Sequence, residues 1–183
     1  MDRPSLINER VIERRCLLTT GRFNVERRTY AQTGKSPIEK DVVVHPGAVV
    51  ILPILDAERI VMIRNVRRAA EAELWELPAG TREPGESAGD TAHRELEEET
   101  GYRAALMEPF LEFYTSPGVM TERMVAFVAK NLTWVGQSTQ DGERITVEVT
   151  ELHEARARFL AGDFCDGKTI AVLGTYFART GWR

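Results

Sequence analysis

The sequence predicts an α/β (α+β) protein in which a series of strands surrounds one acidic helix and two further helices close the chain. Three observations lead there. Short β-branched runs recur between Gly/Pro breaks. One capped segment, Ser87 to Thr100, is rich in glutamate, and the last 33 residues carry two helix-length patterns. With 183 residues, 43% hydrophobic and 28% charged, the chain has the size and composition of one globular domain with a small terminal appendage.

From the N-terminus, residues 16–30 hold apolar and β-branched runs around Gly21, the pattern of a hairpin. Thr33-Gly34-Lys35-Ser36-Pro37 reads as a turn, and Asp41 to His45 as a strand broken by Pro46-Gly47. Ala48 to Leu55 is a buried strand, Arg59 to Val66 alternates as a second, and Trp75 to Gly80 is an extended segment ending in a turn. In the acidic helix Ser87 takes the N-cap, Asp90 completes a box-like pair and Gly101 suits the C′ position. Ala88, Thr91, Ala92, Leu96 and Thr100 share its apolar face. Leu106 to Thr115 and Arg123 to Lys130 follow as strands joined by Ser116-Pro117-Gly118, and Ile145 to Thr150 is another. The closing helices are expected over 151–161 and 168–179.

Lysine and arginine number 24 against 28 acids, a formal net charge of −4, which argues against a nucleic-acid binder. The longest apolar run, Ala48 to Leu55, contains Pro53 and is far too short to cross a bilayer, so no membrane partner is expected. The N-terminus shows no secretory pattern, which points to the cytoplasm. Cys16 and Cys165 match no metal spacing and are expected as reduced, buried small hydrophobes.

The charge is unevenly placed. Residues 80–102 carry seven acids and two arginines, a net of −5, while the other 160 residues sum to +1. Residues 1–30 hold seven arginines and four acids. Helical spacing sets Glu95 beside Glu98 and Glu99, with only Arg94 near enough to offset their repulsion. A carboxylate stripe of this kind suits a hard divalent cation, although spacing alone is equally compatible with a solvated helix face.

The wider pattern decides between them. Gly80, five residues, Glu86, seven residues, then Arg94-Glu95-Leu96-x-Glu98-Glu99-x-Gly101-Tyr102 is the complete Nudix signature, with Tyr102 where an aliphatic residue is usual. The sequence therefore resembles the Nudix hydrolases from about Arg22 to Ala178. The resemblance implies a mixed β-sheet sandwich between helices, with residues 46–183 as the hydrolase domain and 1–45 as an N-terminal antiparallel strand extension. It also implies hydrolysis of a nucleoside diphosphate linked to another group, with two or more Mg²⁺ or Mn²⁺ ions per site. Glu95, Glu98, Glu99 and the Ala79 carbonyl match its metal ligands; Gly80, Glu86, Arg94 and Gly101 match its structural positions. Arg94 is expected to pair with acids and hold the loop.

Three features outside the signature resemble the ADP-ribose and nucleotide-sugar pyrophosphatase branch. Pro117, with Gly118 beside it, stands fifteen residues after Tyr102, where that branch carries a proline. Glu122, in Thr121-Glu122-Arg123, matches a loop glutamate that acts as general base or extra ligand, Glu98 or Glu99 being the alternative bases. Arg67 matches an arginine that reaches the diphosphate, although Asn65-Val66 depart from the usual Gln-aromatic pair. Phe23 matches an aromatic that stacks on the base, with a core position as its alternative; Arg64 and Arg68 read as solvated strand-end charges. In relatives the N-terminal strands cross to a partner subunit, so a strand-swapped homodimer acting on a small-molecule nucleotide sugar is implied. ADP-ribose leads, with GDP-mannose or another nucleotide sugar as the alternative main substrate.

Gly162 to Thr169 satisfies the G-x-x-x-x-G-K-T spacing, but a helix rather than a strand precedes it and only fourteen residues follow, so it reads as a helix–turn–helix connector with Asp166 or Thr169 as a cap. A catalytically inactive nucleotide sensor would be expected to lose metal-binding glutamates, and all three are intact. His45, His93 and His153 are scattered and read as surface or capping residues.

Overall fold

A computed structural model describes residues 9–139, 142 and 144–181. The chain divides into two compact units: the described residues up to Pro46 with Ser116–Glu122, and the described residues from Gly47 to Thr115 and from Arg123 onward.

The first unit is a three-stranded antiparallel sheet, β1 (Arg10–Thr19), β2 (Asn24–Gln32) and β3 (Lys35–Val44), in the order β1-β2-β3. Where the sequence suggests a turn over 33–37, β3 already begins at Lys35, paired with Gln32. A two-residue connection suffices because Gly34 takes a left-handed φ of 71°. Pro37 is tolerated because β3 is an edge strand and the register shifts between Tyr30 and Gln32. The loop 116–122 is tied to the end of this strand: the Val43 amide donates to Val119 O, and the Thr121 amide to Val43 O.

The second unit carries β4 (Ala48–Pro53), β5 (Arg59–Arg67), β6 (Ala72–Glu76), β7 (Ala79–Thr81), α1 (Ala88–Thr100), β8 (Tyr102–Tyr114), β9 (Arg123–Trp134), β10 (Ile145–Glu151), α2 (Leu152–Ala161) and α3 (Gly167–Thr180). One sheet runs β7-β4-β9-β8, with β4 and β9 parallel; the other runs β10-β5-β6. All six residues of β4 are buried, because both faces of its sheet are covered. Val49 and Ile51 meet Ala92 and Leu96 of α1 with Phe127 and Ala129. Val50 and Leu52 turn the other way, into a cluster with Ile60 and Met62 of β5 and Leu173 and Phe177 of α3. The result is the expected sandwich between helices, with α1 and its acids on one side.

β8 begins at Tyr102, four residues before the expected start, and β9 continues to Trp134. The extension is held by the Tyr102–Trp134 pair, whose rings meet edge to face at 5.2 Å. This contact also gives Tyr102 a use at its atypical signature position. Both cysteines are exposed, contrary to expectation: Cys16 lies on the open face of β1, and Cys165 in the α2–α3 connector. Among the described residues no helix is long and apolar enough to cross a membrane.

Candidate active site

The candidate site in the second unit is built on the acidic helix and the loop before it. Ser87 caps α1 by accepting from the Asp90 amide, and Gly101 ends it at a φ of 73°. A Cβ on Gly101 would lie 2.6 Å from the Trp134 ring, so glycine is required there for space as well as for conformation. The last carbonyls of α1, which a helix leaves without internal donors, are bonded by the segment after β9. The Gln137 amide nitrogen Nε2 donates to Glu99 O at 2.8 Å, Ser138 N to Glu98 O, and Val135 N to Gly101 O.

Within this frame Glu95 and Glu99 are buried, at 7% and 4% exposure, and Glu98 is half-buried. The Glu95 carboxylate lies directly over Gly80, where an added Cβ would fall 1.8 Å from its carboxyl carbon. Gly80 is therefore the floor on which Glu95 rests. Arg94 ties the set together: Nε and Nη2 each donate to Glu86 at 3.0 Å, and Nη1 donates to Glu95 at 2.7 Å and Glu98 at 3.3 Å. Arg94, with the Thr91 hydroxyl and the Glu83 amide, holds the Glu86 carboxyl far below its ordinary value, at about 2. The same bonds, those to Glu86 foremost, raise Arg94 above its own ordinary value. Glu97 turns away and pairs with Arg103 at 2.9 Å.

On the opposite side of the loop, the Ala79 amide donates to Glu99 Oε2 at 2.8 Å. In this arrangement no three His, Cys, Asp or Glu side chains among the described residues converge on one point. Glu95, Glu98 and Glu99 share one face of α1 by helical period, two of them buried and one half-buried, in the segment 80–102 that carries a net charge of −5.

A family model for the NUDIX domain matches residues 44–171, more than two thirds of the chain. The chain belongs to the Nudix hydrolases. An ADP-ribose pyrophosphatase of Bacillus subtilis (strain 168) is 38% identical over 137 residues, 74% of each chain. A methanol dehydrogenase activator of Bacillus methanolicus is 44% identical over the same share. A crystal structure of an ADP compounds hydrolase superposes with a TM-score of 0.80 at 22% identity, covering 97% of this chain and 98% of that one, which shows the fold.

The other residues singled out in this Nudix protein fall into two groups. Arg67 lies at the end of β5 in the unit that holds the glutamates, and forms a bidentate pair with Glu76, Nε at 2.7 Å and Nη2 at 2.6 Å. Phe23, Pro117, Gly118 and Glu122 belong to the other unit. Phe23 is exposed beside the β1–β2 turn, so the core alternative for it does not hold within this chain. Pro117 and Gly118 form a turn in which the Val119 and Met120 amides donate to Ser116 O. Arg64 is more than a solvated strand end: it bridges Glu148 at 2.9 Å and Glu73 at 3.2 Å.

Two contacts have no signal in the sequence. His45 Nδ1 lies 3.6 Å from Glu122 Oε1, a proximity that scattered histidines in a sequence do not announce. Glu76 is completely buried, and Lys168 reaches it at 2.5 Å from the Gly162–Thr169 segment. That segment is otherwise the connector expected, since Asp166 caps α3 by accepting from Thr169 N.

Proposed function

We propose that the protein hydrolyses the pyrophosphate bond of ADP-ribose or a related nucleoside diphosphate sugar, giving a nucleoside monophosphate and a sugar phosphate. The observation that carries this reading is the complete signature folded as one object: Glu95 seated on Gly80, Glu99 bonded by the Ala79 amide, and Arg94 joining Glu86, Glu95 and Glu98. The name of the Bacillus subtilis relative supports the substrate class.

The donor set fits a divalent cation such as Mg²⁺ or Mn²⁺, because it consists of hard carboxylate oxygens on a stripe with surplus negative charge. Glu95, Glu98 and Glu99 would hold it, with the Ala79 carbonyl, and two or more ions would share the site. When bound, such ions neutralise phosphate oxygens and lower the pKa of water. The protein's own part is to place the carboxylates, which Gly80, Arg94 and the 135–138 segment do from three sides. In the reaction, water adds to one phosphorus, the bridging P–O bond breaks, and the leaving phosphate keeps the electron pair. Glu122 is assigned the proton, with Glu98 or Glu99 as the competing bases. Arg67 is assigned to the diphosphate, and Phe23, Pro117 and Gly118 to the nucleotide. We further assign a cytoplasmic compartment and a homodimer formed through the N-terminal extension, 1–45, supported by the exposed apolar side chains Ile12, Leu17 and Leu18 of β1.

The test is a substrate panel: ADP-ribose, GDP-mannose and other nucleotide sugars are incubated with protein and MgCl₂, then with alkaline phosphatase, and free phosphate is measured. ADP-ribose should give the largest signal. Release from GDP-mannose alone would transfer the assignment to that substrate, and silence throughout would refute the reading.

A further inference from the structure

The Gly162–Thr169 segment has the spacing of a phosphate-binding loop but not its setting, since α2 precedes it. Its side chains are nevertheless engaged with the second unit's site. Lys168 Nζ donates to Glu76 Oε2 at 2.5 Å and to Asp166 Oδ1 at 2.8 Å. Asp166 Oδ2 in turn accepts from Thr169 N at 3.0 Å and from Thr169 Oγ1 at 2.6 Å. The Leu77 amide donates to Thr169 Oγ1 at 2.8 Å. The start of α3 therefore grips consecutive residues, Glu76 and Leu77, where β6 gives way to the Leu77-Pro78-Ala79 loop. Two residues further on, the Ala79 amide holds Glu99.

Glu76 is the hub. It is fully buried, and a buried carboxylate is strongly destabilising unless ion-paired and hydrogen-bonded. Its oxygens receive both Nε and Nη2 of Arg67, a fork that fixes the plane of the guanidinium and leaves Nη1 outside the pair. Oε2 is shared between Arg67 Nη2 at 2.6 Å and Lys168 Nζ at 2.5 Å. Lys168 thus holds the oxygen about which the fork would otherwise rock. The side chain of Arg67 is 39% exposed, against 13% for Lys168 and 0% for Glu76. The exposed member of this chain of contacts is the arginine; the buried members orient it. Glu76 foremost, and the more distant charges of Glu99 and Asp166, raise the pKa of Arg67, so the guanidinium lies within the field of the glutamate helix.

We propose that Lys168 is a positioning residue for the hydrolysis: by sharing the Glu76 carboxylate it sets the orientation in which Arg67 meets the substrate's diphosphate. The proposal rests on the pyrophosphatase reading above. It predicts that Lys168 acts only through Arg67, which a purely structural role does not.

A double-mutant cycle on the full chain tests this. K168M should raise KM for ADP-ribose about tenfold with kcat changed less than about threefold, and K168R should recover most of that loss. In an R67A background the same K168M change should add less than about twofold. An unchanged KM in K168M, or the same factor in both backgrounds, would overturn the proposal. If K168M does not fold, K168Q takes its place in the cycle. A second readout needs no turnover: the Arg67 Nε–H resonance, identified in ¹⁵N-labelled protein by its loss in R67A, should shift in the Lys168 variant and return in K168R. A wild-type protein inactive on every nucleotide sugar would defeat the pyrophosphatase reading, while an unmoved Arg67 resonance would defeat this one.

Discussion

Replacing Gly80 with alanine isolates what the signature glycine does. Its φ lies outside the left-handed range, so the backbone accepts alanine and the whole effect comes from space. The new Cβ would stand 1.8 Å from the Glu95 carboxyl carbon, whereas ordinary contact begins at 3.4 Å, so the carboxylate must retreat by at least 1.6 Å. It is buried, and Arg94 holds it at 2.7 Å, so the retreat breaks or drags that bond. Displacing a reacting group by about 1 Å costs about 10²-fold in rate, and loosening one partly buried charged hydrogen bond costs about 1–3 kcal/mol. G80A should therefore lose at least about 10²-fold in kcat while its Tm falls by only several degrees. Steady-state kinetics at saturating MgCl₂ and a thermal melt measure both. In an E95A background no carboxylate remains to be crowded, so G80A should lower Tm no further. Wild-type kcat in G80A, or an equal Tm loss in both backgrounds, would refute the argument.

Other predictions concern the surrounding residues. Glu86 has its carboxyl depressed to about 2 from 4.5, so its contribution is fully present above about pH 4.5 and is lost as pH falls toward 2. After allowance for solvent screening, E86Q should remove about 1–2 kcal/mol at neutral pH, and much less at pH 2, in urea unfolding. E122Q should lower kcat at least about tenfold with the fold intact; an unchanged kcat would return the proton to Glu98 or Glu99. The exposed apolar side chains of β1 should give a dimer by sedimentation, and L18E together with I12E should yield a monomer.

Much of the acidic helix was readable in advance because its determinants are local. Ser87, Asp90 and Gly101 mark its ends through bonds spanning three or four residues, and Glu95, Glu98 and Glu99 share a face by period alone. The same holds for Asp166 as the cap of α3. Partners far apart in the chain were not readable. Nothing near Glu76 signals that Lys168, 92 positions away, will reach it, nor does any pattern in Ala48–Pro53 specify a parallel partner in β9. The exposed cysteines mislead for a different reason. Burial tendency belongs to the residue type, whereas exposure is set by the face of β1 and the connector on which they fall. At β3 the glycine is legible but the end of the turn is not, because Pro37 argues against a strand until the strand is known to be an edge.

Glu99 and its neighbours are assigned to a cation-dependent cleavage of a nucleotide sugar. The most direct test follows AMP and ribose 5-phosphate formation from ADP-ribose while MgCl₂ is titrated from chelator-treated protein, in wild type and in a folded E99Q variant. Wild type should show no turnover without the cation and a saturating rise with it, and E99Q should lie at least about 10²-fold lower throughout. Equal rates in the two proteins, or turnover undiminished by chelator, would contradict that assignment.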